Sequence, residues 1–218
     1  LGPSLPIVSL AQAASARGLS AFPEPHESGS TFEQNAIIKA EAYARATGKV
    51  CLADDSGIEI DVLGTPDSPR PGVISSHYCT DGRETGMSRP TRDIANNIRV
   101  LAELIETPFE KRNARFVCVL CLVRPISNRN GTTSLERLAL VRGTFEGRIG
   151  LPADSSDAKA DPTLIVPRGA NGFGYDPLFL VAPLYGRTSA ELEPTEKNAT
   201  SHRGLAAQLL LKTLGVAH

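Results

Sequence analysis

The sequence is organised around the stretch Lys49-Val50-Cys51-Leu52-Ala53-Asp54-Asp55-Ser56-Gly57-Ile58-Glu59-Ile60-Asp61-Val62-Leu63. An apolar run precedes the two aspartates, and residues 58–63 alternate between apolar and polar side chains, as a half-buried strand does. The pattern predicts that Asp54 and Asp55 lie at a strand–turn–strand junction. Because successive strand residues face opposite ways, only one of the two carboxylates is expected to point into any one cleft.

The two adjacent acids also indicate a cation. Neighbouring carboxylates raise each other's pKa unless a cation or hydrogen-bond donors compensate. Mg2+ suits such a position because it prefers carboxylate oxygens and leaves room for substrate phosphates. The alternative is a solvated turn, in which Asp, Ser and Gly are all common.

Length and composition are those of an ordinary soluble globular protein. The chain has 218 residues, of which 41% are hydrophobic and 22% charged, enough for one large domain or two small lobes. Its net charge of -1 argues against a broad nucleic-acid-binding surface. No apolar run reaches the ~18 residues that a membrane helix needs. We therefore expect neither a nucleic-acid polymer nor a membrane as partner.

The cysteine spacing bears on metal binding and on the cellular compartment. Cys118 and Cys121 have C-x-x-C spacing but lie in the apolar run 116–123, where a strand would turn their side chains to opposite faces. No second Cys or His pair follows, so buried structural thiols are favoured over a zinc site. Free thiols suit a reducing cytoplasm, which is the compartment we expect.

A helix is predicted from Thr31, a good N-cap, to Thr47, with Gly48 ending it. Its apolar stripe has the 3.6-residue period of a helix and is formed by Phe32, Ala36, Ala40, Tyr43 and Thr47. Lys39 falls inside this stripe, with Asn35 on its flank. An ammonium group directed toward a core is expected to meet an anion, since burying it unpaired is expensive. A lysine that snorkels to solvent is the alternative.

The rest of the pattern predicts further helices, strands and loops. Residues 64–90 are predicted to form a long connection, 150–170 an exposed loop, and 128–131 a turn. Helices are predicted at 91–105, with Ile94, Ile98, Leu101 and Ile105 as the apolar face, and at 202–214, with Leu205, Leu209 and Leu210 inward and Gly215 as the stop. Strands are predicted at 115–123, 135–141, 144–149 and 177–181, and their succession indicates an antiparallel meander.

A glycine–aromatic loop near the C-terminus indicates ligand binding. In Asn171-Gly172-Phe173-Gly174-Tyr175-Asp176-Pro177, the glycines let a planar ligand approach the backbone, and the rings offer a stacking face. The glycine spacing is not G-x-G-x-x-G and no helix follows, which excludes a dinucleotide-binding fold. An ordinary glycine turn is the alternative.

A basic cluster begins the last predicted helix, in Glu196-Lys197-Asn198-Ala199-Thr200-Ser201-His202-Arg203-Gly204. Cations are disfavoured at that end of the helix dipole, whereas anions bind there. The cluster therefore predicts a polyanion site, with a solvated basic turn as the alternative.

These motifs resemble those of the ITPase/Ham1-like family, the noncanonical purine nucleoside triphosphate pyrophosphatases. Four motifs occur in the family's order and span about residues 27–215: Thr31-Phe32-Glu33-Gln34-Asn35-Ala36 with Lys39-Ala40, Asp54–Gly57, Phe173–Pro177 and Ser201-His202-Arg203-Gly204. The resemblance implies an elongated α/β fold, with a mixed sheet, flanking helices and a second lobe around a central cleft, so that residues 1–218 form a single domain of two lobes. It implies a homodimer, Mg2+ as cofactor, and hydrolysis of dITP/ITP and XTP/dXTP to the monophosphate and pyrophosphate, cleansing the nucleotide pool.

The resemblance also implies roles for individual residues. Asp55 resembles the general base and metal-associated carboxylate, Glu27 the acid that helps to hold the metal, and Lys39 the phosphate-binding lysine. The further substrate contacts that it implies are Ser56 beside the base, Phe173, Gly174, Tyr175 and Asp176 in the base-recognition loop, and Lys197, His202 and Arg203. Preference for a 6-oxo purine is expected from donors of His202 and Arg203 to O6, since the amino group of adenine cannot accept them.

The sequence departs from the family pattern in two places. Relatives open with a strand and a Thr/Ser-Gly-Asn-x-x-Lys loop that grips the triphosphate, followed by a helix. Roughly 20 residues of that kind are expected to be missing before Leu1, and residues 1–10 resemble the strand that follows them. We favour a truncated sequence over a degenerate relative because the other motifs are intact. His77, in Ser75-Ser76-His77-Tyr78, stands where relatives often have arginine and would be a weaker ligand contact at neutral pH.

Three functions therefore compete. The first is Mg2+-dependent hydrolysis of inosine and xanthosine triphosphates. The second is a non-catalytic or impaired nucleotide-binding remnant that lacks the N-terminal phosphate loop, and the third is a Maf-like nucleotide pyrophosphatase for other modified bases. The Ser-His-Arg-Gly and Phe-Gly-Tyr-Asp motifs together favour the first over the third.

Overall fold

The computed structural model describes residues 7–128 and 131–216. A four-stranded sheet has the order β1-β2-β3-β4, formed by β1 Cys51–Ile60, β2 Asn113–Ser127, β3 Thr133–Ile149 and β4 Phe179–Val181. The helices are α1 Leu10–Ser15, α2 Phe32–Thr47, α3 Arg89–Glu103, α4 Ser156–Ala160, α5 Pro194–Thr200 and α6 His202–Thr213. β3 and β4 pair antiparallel, with Gly147 opposite Val181. The expected α/β class is confirmed, and the strands follow one another in the sheet as a meander does.

The chain divides into two compact units, each with a core of its own. The first unit contains the described residues up to Asp55, then Cys118–Gly143 and the described residues from Leu205 onward. Its core cluster consists of Cys118, Leu120, Ala139, Ala206 and Leu210. The second unit contains Ser56–Val117 and Thr144–Gly204. Its larger core includes Ile58, Tyr78, Val100, Phe116 and Phe179.

The strand predicted near the N-terminus is not observed in the described residues. Residues 1–6 lie outside them, residues 7–9 have no regular structure, and α1 begins at Leu10. The Ser9 hydroxyl accepts a hydrogen bond from the Gln12 N–H, and the Gln12 side chain accepts one from the Ser9 N–H. This capping box satisfies two backbone donors and so starts a helix.

β1 runs unbroken through the Asp-Asp-Ser-Gly motif, so the predicted strand–turn–strand junction is wrong. The N–H groups of the extended backbone after the motif donate hydrogen bonds to a neighbouring segment. The Ile58 N–H donates to the Ser75 hydroxyl at 2.9 Å, and the Ile60 N–H donates to the Arg70 carbonyl at 2.7 Å. These bonds favour the extended form of a Ser-Gly pair that would otherwise suit a turn.

The two aspartates of β1 differ in exposure, as the alternation of a strand requires. Asp54 is exposed and Asp55 is half-buried. Beyond them the strand ends sooner than predicted, because Asp61–Leu63 form a 3₁₀ turn. The chain then reverses between Thr65 and Ser68, whose backbone groups bond each other in both directions.

α2 begins and ends as predicted. The Thr31 hydroxyl accepts a hydrogen bond from the Gln34 N–H, and Gly48 adopts a φ of 63°, the left-handed conformation that commonly ends a helix. The buried residues are Phe32, Asn35, Ala36, Ala40, Ala44 and Thr47. Tyr43, predicted in the stripe, is only half-buried.

α3 lies two residues closer to the N-terminus than predicted. Ser88 caps it and Pro90 occupies its first turn, where a helix tolerates proline because that N–H has no partner within the helix. The long connection before it is also partly regular, since Gly72–Thr80 form a 3₁₀ helix with one kink.

The predicted apolar face of α3 is wrong except at Leu101, which is partly buried against the core of the second unit. Ile94 and Ile98 on the helix, and Ile105 just after it, are 62%, 65% and 52% exposed. The buried residues are Asn96 and Val100. The polar side chain of Asn96 can be buried because it is hydrogen-bonded. It accepts from the Cys79 N–H and donates to the Ser75 and Ser76 carbonyls.

β3 is a single strand where two were predicted. Gly143, which lies between the two predicted strands, is inside it, because glycine weakens a strand interior without ending it. Of the predicted turn at 128–131, Arg129 and Asn130 lie outside the described residues. Around them the Gly131 N–H donates to the Asn128 carbonyl at 3.0 Å.

The segment 150–170 is not the exposed loop that was predicted. It contains α4 and a 3₁₀ turn at Pro162–Leu164, and Leu151, Ala158 and Val166 belong to the core of the second unit. The Val166 N–H donates to the Leu151 carbonyl at 2.9 Å. Leu151 and Ala158 stand singly among polar residues and Pro, and Val166 ends an apolar run of only three residues, so no period in the sequence indicates their burial.

The C-terminal elements agree in part with the prediction. β4 is shorter than the predicted strand, since Asp176–Leu178 form a 3₁₀ turn and Pro177 has no N–H to give to a ladder. α5 was not predicted. As expected, α6 ends before Gly215, whose φ is 67°. Of the three leucines predicted to face inward, Leu210 is buried and Leu205 is half-buried. Leu209 is 42% exposed, and Ala206 is buried instead.

The four cysteines are free thiols, as predicted. Cys118 and Cys121 are buried, and burial raises the pKa of Cys121 to about 11, which makes it an unreactive structural side chain. Among the residues described, no helix is long and apolar enough to cross a membrane.

Candidate functional site

In the first unit, Lys39 joins two carboxylates. Lys39 lies on α2, Asp55 on β1 and Glu27 in the segment before α2. The Lys39 Nζ is 2.9 Å from Asp55 Oδ1 and 3.0 Å from Glu27 Oε2. The side chains of Lys39 and Asp55 are only 18% and 13% exposed. The anion expected beside Lys39 is thus a pair of carboxylates, and the structure brings together the three residues implied in metal and phosphate chemistry.

Burial governs the protonation of this cluster. Burial, reinforced by the charge of Glu27, raises the pKa of the Asp55 carboxyl above its ordinary value, although the hydrogen bonds of Lys39 and Asn35 and the charge of Lys39 lower it. Burial also lowers the pKa of Lys39, but the bonds and charges of Asp55 and Glu27 outweigh it, and that pKa lies above its ordinary value. A carboxylate with a raised pKa is a stronger base than a solvated aspartate, which suits proton abstraction.

The same carboxylates fit a hard cation. Asp55 Oδ2 is buried and has no hydrogen-bond partner among the described residues, while Oδ1 is held by Lys39. Mg2+ is commonly held by one or two carboxylates together with waters and substrate phosphates, so Asp55 and Glu27 are a sufficient protein donor set. Within residues 7–128 and 131–216, no group of three or more His, Cys, Asp or Glu side chains could hold a metal ion. A cation here would therefore depend on oxygens of a ligand.

The second unit contains a cavity of about 610 Å³, a volume typical of small-molecule sites. The predicted substrate contacts other than Lys39 all line it: Ser56, Phe173, Gly174, Tyr175, Asp176, Lys197, His202 and Arg203. The glycine–aromatic loop and the basic cluster, about 25 residues apart in the sequence, thus form one site.

Asp176 organises the glycine–aromatic loop. Its Oδ2 accepts the Phe173 N–H at 2.8 Å and lies 2.7 Å from the Lys197 Nζ, and its Oδ1 accepts the Ser189 hydroxyl at 2.7 Å. Gly172 has a φ of 85°, and a Cβ there would overlap the Asp176 carboxylate and the Lys197 ammonium. Both oxygens of Asp176 are engaged by the protein, so this residue shapes the loop.

The two aromatic residues of the loop differ in environment. Phe173 is 51% exposed, with the guanidinium of Arg89 4.5 Å and that of Arg203 5.7 Å from its ring centroid. Tyr175 is buried, its hydroxyl donates to the Ser75 carbonyl at 2.7 Å, and burial raises the pKa of Tyr175. Phe173 is therefore the ring available for stacking, and Tyr175 anchors the loop beneath it.

His202 is a neutral imidazole in the cavity wall. Its ring stacks on Phe116 with 5.2 Å between centroids. Burial, reinforced by the charges of Arg203 and Lys197, lowers its pKa to about 3. Its Nε2 lies 3.0 Å from Arg203 Nη1. Since a guanidinium only donates, Nε2 accepts and the ring proton resides on Nδ1.

The Nδ1 atom of His202 is buried and has no hydrogen-bond partner in the described part of the chain. A buried donor without an acceptor is destabilising, and such groups in native proteins call for an explanation. A ligand carbonyl in the cavity would satisfy it.

A row of polar residues on α3 was missed by the sequence analysis. Arg89, Arg92 and Asp93 line the cavity, and Asn97 donates to the Gly174 carbonyl at 3.1 Å. The spacing of four residues between Arg89, Asp93 and Asn97 is the signal that could have found them, because it places all three on one helix face.

His77, expected as a weakened ligand contact, is engaged by its own neighbours. Its Nε2 lies 3.0 Å from Glu84 Oε2, and its Nδ1 lies 2.9 Å from the Ser76 hydroxyl. Ser76 lines the cavity, whereas His77 is not among the lining residues.

Acid is expected to destabilise the fold through His202. Its pKa is about 3 in the folded chain against 6.5 ordinarily, so the unfolded chain binds the proton first as pH falls. The free energy of unfolding should therefore decrease between pH 6.5 and 3, by at most about 1.4 kcal/mol per pH unit. His202→Gln should flatten this slope in urea unfolding titrations, and His26→Gln, at an exposed position, should not. Equal slopes in His202→Gln and the parent protein would contradict the assignment.

The chain is similar to known proteins in both sequence and structure. The profile of the Ham1 family matches residues 5–213. The dITP/XTP pyrophosphatase of Nitratidesulfovibrio vulgaris is 43% identical over 198 residues, covering 89% of this chain and 81% of the relative. That of Corynebacterium diphtheriae is 40% identical over 197 residues, covering 88% and 78%. The structure of a HAM1 protein from Coxiella burnetii has a TM-score of 0.66 at 37% identity and covers 95% of this chain and 93% of that one.

Proposed function

The chain belongs to the Ham1 family, and from this we propose that it hydrolyses noncanonical purine nucleoside triphosphates, dITP/ITP and XTP/dXTP, to the monophosphate and pyrophosphate. Relatives with 43% and 40% identity carry the name dITP/XTP pyrophosphatase. The geometrical observation that carries the proposal is the buried Nδ1–H of His202 in the cavity wall. Hypoxanthine and xanthine present O6 to it, whereas adenine presents an amino group that would leave both donors unpaired.

The cavity residues supply the rest of base recognition. The half-exposed ring of Phe173 stacks on the purine, and the Arg203 guanidinium holds His202 in the required tautomer through Nε2. His202 distinguishes 6-oxo purines from adenine, but it does not distinguish hypoxanthine and xanthine from guanine, which also has O6. Exclusion of guanine must therefore act at its 2-amino group.

Asp55 is the group proposed to activate water. Its Oδ1 is fixed by Lys39 and its Oδ2 is unpartnered among the described residues, so Oδ2 takes a proton from the water that attacks the α-phosphorus. A bond forms between that water oxygen and the α-phosphorus, and the bond from the α-phosphorus to the bridging oxygen breaks, releasing pyrophosphate. The proton then passes from Asp55 to solvent. Lys39, whose raised pKa keeps it charged, offsets the charge of the phosphates.

Mg2+ is the proposed cofactor, held by Asp55 and Glu27. When bound, it would neutralise phosphate charge and polarise the phosphoryl oxygens. The support is the donor set itself, the two carboxylates that meet at Lys39. We also propose a reducing cytoplasm as the compartment, supported by the four free thiols.

Product identification with a panel of nucleotides tests the function. The protein, with Mg2+, is expected to release pyrophosphate and the monophosphate from ITP, dITP and XTP, and to act far more slowly on ATP and GTP. Orthophosphate as the first product would contradict the proposal. Calorimetric binding of ITP without turnover would instead favour a nucleotide-binding remnant, and a preference for other modified bases would favour a Maf-like activity.

We further propose that the protein is a homodimer, with α3 at the interface. Ile94, Ile98 and Ile105 leave an apolar row exposed, which a second copy of the chain would bury against the same row of its own in a two-fold contact. The family resemblance also implies a dimer.

Placing a charge in this row is expected to separate the subunits. Light scattering at micromolar concentration should give twice the mass of one chain for the parent protein and one chain's mass for Ile98→Glu. Val50→Glu, at another exposed apolar position, serves as the control and should stay dimeric. A parent protein that is monomeric, or an Ile98→Glu variant that remains dimeric, would contradict this interface.

A further inference from the structure

Two side chains of α3 hold the backbone of Gly174 from both sides. The Gly174 N–H donates to Asp93 Oδ2 at 3.1 Å, and the Gly174 carbonyl accepts from Asn97 Nδ2 at 3.1 Å. Asp93 and Asn97 are four residues apart, so one acceptor and one donor stand one helical turn from each other on the same face. Arg89 continues this face by one more turn, and its guanidinium lies 4.5 Å from the centroid of the Phe173 ring.

Gly174 lies at the point of the loop where the backbone conformation sets the direction of the neighbouring rings. Gly174 has a φ of 61°, in the left-handed region that other residues rarely adopt. Phe173, directly before it, is the exposed ring of the cavity, and Tyr175, directly after it, is anchored on Ser75. Asp176 fixes the Phe173 N–H, but no described residue on that side holds the Gly174 N–H or carbonyl. Asp93 and Asn97 therefore supply the hydrogen bonds that fix the backbone of the loop at Gly174.

The side chain of Asn97 makes one hydrogen bond to Gly174 but leaves its other polar atom unpaired, which lowers the stability of the fold. Its Oδ1 is buried and has no hydrogen-bond partner among the described residues. An unpaired buried acceptor is destabilising, so a purely structural role would be served as well by an apolar residue of similar size. The one hydrogen bond that the Asn97 side chain does make is to the backbone of the base-recognition loop.

We propose that Asp93 and Asn97 are positioning residues for purine recognition, which clamp Gly174 so that the Phe173 ring is presented to the base. This role rests on the proposed function of the cavity. Neither residue is assigned to the reacting atoms, and both act through Phe173. Loss of the clamp leaves the loop free to move the ring away from its stacking position, so it weakens binding of the purine more than it slows the chemical step.

Steady-state kinetics with ITP and melting temperatures test the clamp. Asn97→Leu should raise KM about two- to tenfold, the range expected for one lost hydrogen bond, with kcat within about twofold and the melting temperature unchanged or higher. Asp93→Ala should raise KM similarly. Asp93→Asn keeps an acceptor oxygen for the Gly174 N–H and should restore KM, which separates the hydrogen bond from the charge.

A double-mutant cycle shows whether the effect passes through the ring. In a Phe173→Ala background, Asp93→Ala should change KM by less than about twofold, because the ring that it positions is gone. Full additivity of the two effects, or an unchanged KM in Asn97→Leu and Asp93→Ala, would overturn the clamp while pyrophosphate release by the parent protein still stood. A parent protein that released no pyrophosphate from ITP would overturn the proposed function, and this role with it.

Discussion

Asp55→Asn is expected to lower kcat for pyrophosphate release from ITP by about 10²- to 10⁴-fold, the range for removal of a general base. The amide keeps the size of the side chain but cannot take a proton from water. The loss should appear mainly in kcat, because the cavity proposed to bind the base belongs to the second unit and is unchanged. Rapid-quench or coupled pyrophosphate assays measure it.

Asp54→Asn is the matched control, since Asp54 is the neighbouring residue of β1 and is exposed. It should retain activity within about threefold, as surface substitutions away from a site usually do little. Equal losses in the two variants, or full activity in Asp55→Asn, would contradict the assignment.

His202→Phe is expected to remove most of the discrimination between ITP and ATP. Phenylalanine preserves the stack on Phe116 but has no Nδ1–H for O6. The kcat/KM for ITP should fall about ten- to hundredfold, the effect of leaving a buried acceptor unpaired. The kcat/KM for ATP should stay level or rise, since the unpaired donor facing its amino group is gone.

The conservative variant His202→Asn tests whether the donor, not the ring, is responsible. Its carboxamide can still donate, so part of the preference for ITP should return. Parallel losses for ITP and ATP in His202→Phe would instead mean that the imidazole only supports the cavity wall, and the role proposed for Nδ1 would be wrong.

The elements that could be predicted are those whose causes lie within a few residues. Thr31 and Gly48 bound α2 through local capping, and the place of Lys39 in an apolar stripe was enough to predict an anion beside it. The acids that meet it, Glu27 and Asp55, were identified by family resemblance, because neither lies near Lys39 in the sequence.

The path of β1 could not be predicted, because its cause is not local. The sequence around Ser56 and Gly57 has turn composition, and the partners that favour the extended form, the Arg70 carbonyl and the Ser75 hydroxyl, lie on a later segment. A short window of sequence centred on the motif contains neither partner.

The error on α3 has a different origin. Periodicity identifies an apolar face but not what covers it, so Ile94 and Ile98 were assigned to the core although they are exposed. With that face turned inward, Asp93 and Asn97 fell on the side expected to meet solvent. The residues that hold the glycine–aromatic loop were missed for this reason.

The most direct measurement of the central claim follows oxygen from water into product. Hydrolysis of ITP in oxygen-18 water, analysed by mass spectrometry, shows which phosphorus the water attacks. If Asp55 directs water onto the α-phosphorus, the label is found in the monophosphate and the pyrophosphate is unlabelled. Label in the pyrophosphate, or in released orthophosphate, would contradict the account.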